Sequence, residues 1–201
     1  MLDTYENTLG SERVVEIPYI VEAISSFSPK DEVLDVGGVV TSTQINAPIF
    51  AKIKEIGCCW EVSDFRPCEY QGDFVTYDFG SKKFDKIVFL SSLEHFVSCT
   101  EGDLVFRVDE DKKGFQKALS LLDSGGEIYL TVPVGKPQFV PHHMSYDANR
   151  ISFISDGAIL EESLIYILKE NNWVLSDFSE VGEILNPGPI NAVGLFKFSK
   201  K

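Results

Sequence analysis

The sequence predicts an α/β fold built on a mainly parallel sheet. Segments with helical and strand-like periodicity alternate almost throughout. The apolar run at 86–90 (KIVFL), set between Asp85 and Ser91, suits a central strand covered on both faces. Glycine pairs at 37–38 and 125–126 stand at element boundaries, where the chain must turn. With 201 residues, the chain can bury a core without disulfide or metal staples. Its 44% hydrophobic and 24% charged content excludes a disordered or collagen-like chain.

The elements follow in order. Residues 11–27 carry apolar side chains at helical spacing, and Pro18 is expected to break or kink that helix. A turn at 28–31 leads into a first strand at 32–36, which ends on Asp35 and Gly37-Gly38. A helix is expected over 43–56, closed by Gly57. Strands follow at 58–63, 74–77 and 86–90. A helix at 110–122 puts Phe115, Ala118, Leu119 and Leu122 on one face. The next strand, 127–132, is stopped by Pro133. Residues 134–156 read as a long polar loop of the kind that serves as a lid or binding loop. A last helix at 158–171, a strand at 173–179 and a final strand at 190–198 complete the chain. The last two strands lack an intervening helix and read as a hairpin at the sheet end. No linker or repeat divides the chain, so one domain is expected over 1–201, with 1–28 as a helical cap and 134–156 on the substrate side.

Charge narrows the partners. Eighteen basic against 31 acidic residues give a net charge of −13, so nucleic acid and anionic lipid are repelled at long range. No apolar run approaches the roughly 18 residues of a membrane-spanning helix, and the N-terminus lacks signal-peptide character. A soluble cytoplasmic protein is expected, with no membrane insertion and the oligomeric state left open. Four cysteines, none in a CxxC pair, read as reduced thiols, and no metal site is expected.

The strand ends carry the chemistry. In an open parallel sheet, ligands sit beyond the carboxyl ends of the strands. Those ends hold Asp35 with Gly37 and Gly38, then Asp64, then Asp73, then 91–95 (SSLEH). An acidic rim disfavours polyphosphates and suits a ligand with hydroxyls, amino groups and positive charge. No GxxxxGK[ST] and no GxGxxG occurs, which argues against a P-loop or a nicotinamide cofactor.

The order VLDVGG (33–38), SDFRP (63–67), GDF (72–74), FDKIVFLSSLEHF (84–96) and SGGEIYLTVPVG (124–135) resembles class I S-adenosylmethionine-dependent methyltransferases. The likeness covers residues 12 to about 135. Together with RVVEIPYIV (13–21), it is similar to the branch associated with surface-polysaccharide biosynthesis. The resemblance implies a Rossmann-like, seven-stranded, mainly parallel sheet with helices on both faces and a C-terminal antiparallel strand pair. It implies methyl transfer from S-adenosylmethionine, yielding S-adenosylhomocysteine, to a small acceptor such as a sugar or glycan-precursor hydroxyl. By the same resemblance Asp35, Gly37 and Gly38 approach the methionine part of the cofactor. Asp64 takes the ribose hydroxyls, Asp73 and Phe74 take the adenine, and the strand end at Leu90 and Ser91 lies near the sulfonium. Glu94 and His95 follow on the substrate side.

Plainer roles stand beside these. Asp35 also suits a helix cap, Asp64 and Asp73 suit turns, and Phe74 suits the core. His95 is a candidate general base, with Glu94 beside it, and equally a structural histidine bonded to backbone. His142, His143 and Tyr146 are candidate substrate contacts or part of a solvated loop. Val39 and Thr41 stand where the family's later glycines fall. That departure keeps open a non-catalytic, methyltransferase-like binding or regulatory protein with a degenerate cofactor loop.

Overall fold

The computed structural model describes residues 11–38, 47–97, 107–140, 143–186 and 189–201; for Phe139 and Val140 it describes the backbone alone. Helix α1 (Arg13–Ser25) opens the described chain, followed by β1 (Glu32–Val36), α2 (Ala47–Ile56), β2 (Cys59–Asp64), β3 (Tyr70–Gln71) and β4 (Phe84–Leu90). A 3-10 turn over Leu93–His95 precedes α3 (Glu110–Leu121) and β5 (Leu122–Pro133). A small hairpin of β6 (Gln138–Val140) and β7 (His143–Ser145) then leads to α4 (Ala148–Ile154). The chain ends with β8 (Ala158–Lys169), β9 (Asn172–Ser176), the short α5 (Phe178–Val181) and β10 (Ala192–Lys200).

The main sheet runs β3-β2-β1-β4-β5-β10-β8-β9. Its pairings are parallel from β3 to β5 and antiparallel from β5 onward. This is the expected Rossmann-like α/β architecture with an antiparallel C-terminal part. Two apolar cores flank it. One gathers Leu34, Phe89, Phe115, Ile128 and Phe196; the other packs Ile20, Ile24 and Ile49 against Val33, Val88 and Tyr129. The central strands β1 and β4 send alternate side chains to each core, which is why they read as continuous apolar runs.

Several elements differ from the sequence-based expectation. The sheet has eight strands rather than seven, because β8 is added to the expected set, and β9 pairs with β8 rather than forming the expected hairpin with β10. Residues 158–169 form a strand where a helix was expected. There Ile165 and Ile167 enter one core while Leu164 and Tyr166 face the other, so the apolar run reflects two covered faces and not a helical stripe. The third strand is the two-residue Tyr70–Gln71, and Phe74–Tyr77 is a turn. Asp73 makes that turn: its Oδ1 accepts from Val75 N at 2.9 Å and its carbonyl from Tyr77 N at 2.8 Å. Helix α1 passes through Pro18 unbroken, although proline has no N–H to donate there. The 134–156 segment, expected as loop, holds β6, β7 and α4. Cys58, Cys59 and Cys68 are free thiols, and Cys99 lies outside the described residues. Among the described residues no helix is long and apolar enough to cross a membrane.

Candidate functional site

The parallel half of the sheet brings the carboxyl ends of β1, β2 and β4 side by side. Over them lies a cavity of about 760 Å³ lined by Val36, Gly37, Ser63, Asp64, Ser91 and Ser92, with Asp73 and Phe74 on a neighbouring wall. Its volume falls within the ordinary range for small-molecule sites.

The β1 turn is drawn tightly against β4. Gly37 adopts φ +97°, and its N–H donates to Ser63 O at 2.8 Å. A Cβ at Gly37 would stand 2.5 Å from Ser92 Cβ, so a side chain is excluded there. Ser92 Oγ donates to Val36 O at 2.6 Å, fastening the two strand ends together. Asp35 is fully buried one residue before the end of β1, and Gly38 lines a separate groove beside α2.

Asp64 ends β2 with its carboxylate held by Arg66. The Arg66 backbone N–H and Nε donate to Oδ1 at 2.8 and 3.0 Å, and Nη2 donates to Oδ2. Partial burial pushes this carboxyl up, but the Arg66 hydrogen bonds outweigh it and hold the group below the usual carboxylate range. Asp73 Oδ2 meets Arg107 Nη1 at 3.5 Å. Phe74 is buried and packs edge-on against Phe79, Phe89 and Phe96, so the ring forms a fixed apolar wall.

Ser91 closes the far end. It is not glycine, yet it adopts φ 43°, a conformation costly to L side chains and often kept where a site needs it. Thr131 holds it: the Ser91 N–H lies 3.2 Å from Thr131 O and 3.0 Å from Oγ1. Ser91 Oγ donates to Glu16 Oε1 at 2.6 Å, and Arg13 Nη1 donates to Glu16 Oε2 at 2.5 Å. Glu16 is fully buried, so α1 is locked onto the end of β4 through a charged link. Glu94 is also buried, and its Oε2 has no hydrogen-bond partner among the described residues. Burial, reinforced by Glu16, pushes the Glu94 carboxyl well above its ordinary range. His95 is more than half exposed, lines the cavity, and stands 3.9 Å from Glu94 Oε1 through Nε2.

The structure therefore brings Gly37, Asp64, Asp73, Phe74, Ser91 and His95 onto one cavity. Leu90 lies beneath it, in the core that α1 covers. His143 Nε2 lies 3.0 Å from Asn186 O, and Tyr146 is fully buried; neither lines the cavity. His142, Val39 and Thr41 lie outside the described residues. Sequence reasoning missed Arg13, Glu16, Arg66 and Arg107. One signal was present: the chain has only four arginines among eighteen basic residues. Three of them, Arg13, Arg66 and Arg107, attend the cavity or its carboxylates.

No protein-family model matches the sequence, and no curated protein aligns with it significantly. Solved structures do share its fold. A methyltransferase from Archaeoglobus fulgidus, described as dependent on S-adenosylmethionine, superposes with a TM-score of 0.58 at 15% identity, covering 98% of each chain. The 1,6-didemethyltoxoflavin-N1-methyltransferase of Burkholderia thailandensis, solved with 1,6-didemethyltoxoflavin and S-adenosylhomocysteine, gives 0.57 at 9% identity over 92% of this chain and 78% of its own. The N-methyltransferase NodS of Bradyrhizobium japonicum, solved with S-adenosylhomocysteine, gives 0.55 at 10% identity over 94% and 87%. The chain has the α/β Rossmann-like fold of these methyltransferases.

Proposed function

We propose that the protein transfers a methyl group from S-adenosylmethionine to a small acceptor. The observation that carries this reading is the cavity over β1, β2 and β4, which joins a glycine turn, two rim carboxylates and an aromatic wall. The residues fit such a cofactor. Gly37 leaves the backbone bare where no side chain has room, and Phe74 on the cavity wall would give a purine an apolar neighbour. Asp64 would accept from the ribose hydroxyls and Asp73 from the adenine amine. Arg13, at the α1 side, offers a guanidinium to a carboxylate. The bound cofactor supplies a methyl group on a sulfonium, already an excellent leaving group.

The chain then has mainly to position the reactants. Ser91, pinned by Thr131 and Glu16, sets the floor beside the reacting atoms. We read residues 1–28 as the cap of this site and 134–156 as bordering the acceptor side, with 1–10 and 141–142 lying outside the described residues. His95, accessible on the cavity wall, would take the acceptor's proton if the acceptor is a hydroxyl. A sugar or glycan-precursor hydroxyl is our choice of acceptor, supported by the sequence resemblance alone.

Calorimetric titration with S-adenosylmethionine, S-adenosylhomocysteine and NAD tests the reading. Micromolar binding of the first two, with NAD inert, is expected. Asp64→Ala should weaken it by about 1–3 kcal/mol, the scale of a hydrogen bond to a charged group. Absence of binding by both would overturn the reading and leave a non-catalytic relative of the fold.

A further inference from the structure

The carboxylate assigned above to the ribose is already engaged. Arg66 places its backbone N–H and Nε on Asp64 Oδ1 and its Nη2 on Oδ2. An ionised carboxylate has about four acceptor positions, and one residue fills three of them. The same Nη2 donates to Gly37 O at 2.7 Å, so the guanidinium bridges the β1 turn and the end of β2. A guanidinium edge and a vicinal diol make the same demand on a carboxylate: two donors, one for each oxygen. Both cannot be met on Asp64 together. The Arg66 side chain is 57% exposed, against 11% for Asp64, so the arginine can swing into solvent while the carboxylate stays in place. Its backbone N–H would remain on Oδ1 and keep the carboxylate oriented.

We propose that Arg66 is an affinity-determining residue, a built-in competitor that must leave Asp64 before a ribose diol can be received. The inference rests on the cofactor reading above. When a binding-competent state is only fractionally populated, the apparent dissociation constant rises by the inverse of that fraction. Exposed ion pairs are weak, so the closed state of Arg66 outweighs the open one by about fivefold at most.

The test is calorimetric titration with S-adenosylhomocysteine of the wild type, Arg66→Ala, Arg66→Gln, Asp64→Asn and the Asp64→Asn/Arg66→Ala double variant. Both single Arg66 variants should bind roughly twofold to sixfold more tightly than wild type. In the Asp64→Asn background, removing Arg66 should change affinity by less than about twofold. A second readout uses adenosine, which carries no charge. Raising sodium chloride should tighten its binding to wild type by screening the competing pair, and leave Arg66→Ala unaffected. Arg66 variants that bind S-adenosylhomocysteine as wild type does, or more weakly, would overturn this proposal and leave the cofactor reading intact. Absence of binding by wild type and both Arg66 variants would overturn the cofactor reading, and this proposal with it.

Discussion

Replacing Glu94 by Gln should remove a pH dependence of stability. Glu94 is 2% exposed, and its carboxyl is raised by burial and by Glu16, against an opposing pull from Arg13. Unfolded, it titrates near the ordinary glutamate value of about 4.3. Between that value and the higher folded one, the native state holds a proton that the unfolded state has lost. Stability is therefore full below the unfolded pKa and falls as pH rises, by about 1.4 kcal/mol per pH unit, until the folded pKa is passed. Glutamine keeps the shape and neutrality of the protonated acid but cannot titrate. Asp64 and Glu127, both lowered in the folded state, contribute the opposite slope at lower pH. They are common to both proteins and cancel in the difference. Urea unfolding of wild type and Glu94→Gln at pH 4.5, 5.0, 5.5 and 6.0, at constant ionic strength, measures that difference. With an m-value of about 2 kcal/mol/M, the gap between midpoints should move by about 0.7 M per pH unit, in favour of the variant as pH rises. Midpoints that stay a constant distance apart would refute the reasoning and mean that Glu94 is ionised in the folded protein.

Two further substitutions probe the supports of the site. Arg150 donates to Asp109 Oδ1 at 2.8 Å and to both oxygens of the fully buried Asp111, so Arg150→Ala strands a buried charge. It should cost about 3–5 kcal/mol in urea unfolding, with much of the loss recovered in Arg150→Ala/Asp111→Asn. Gly37→Ala adds left-handed strain to a 2.5 Å contact with Ser92 Cβ and should cost about 2–4 kcal/mol. Ser92→Gly by itself loses the bond to Val36 O, so the coupling energy of the Gly37→Ala/Ser92→Gly double-mutant cycle, from the same measurement, gives the contact part.

The parallel half of the fold was legible because its strands are bounded apolar runs ending in acid or glycine. That placed Asp64 and Ser91 at strand ends, where the topology gathers them; Asp73 reaches the same cavity from a turn two residues past β3. β8 was misread because residues 164–168 are covered on both faces and 159–163 are exposed on both, so neither half alternates as a one-sided strand does, and Glu161 and Glu162 are good helix formers. β3 is two residues long, too short to leave a pattern. The arginines were missed for a different reason. Arg107 meets Asp73, and Glu16, which Arg13 holds, meets the end of β4, only through tertiary packing, and nothing local in the sequence records those long-range partners. His143 and Tyr146 show the converse: a polar loop announces its composition but not which way each side chain turns.

The strand order also has a consequence for folding during synthesis. β10 is the last strand in chain order, yet it fills the middle of the sheet, between β5 and β8. Until it leaves the ribosome, β5 has one open edge and the β8–β9 hairpin has no sheet to join. The stretch from Pro133 to Ala192 takes roughly 3–12 s to translate at 5–20 residues per second. Throughout that interval the nascent chain exposes an unpaired edge whose residues, Ile128, Leu130 and Val132 among them, are fully buried in the finished protein. Such an edge is a template for pairing with other chains, so yield on expression should depend more on chaperone supply and growth temperature than on the stability of the completed fold.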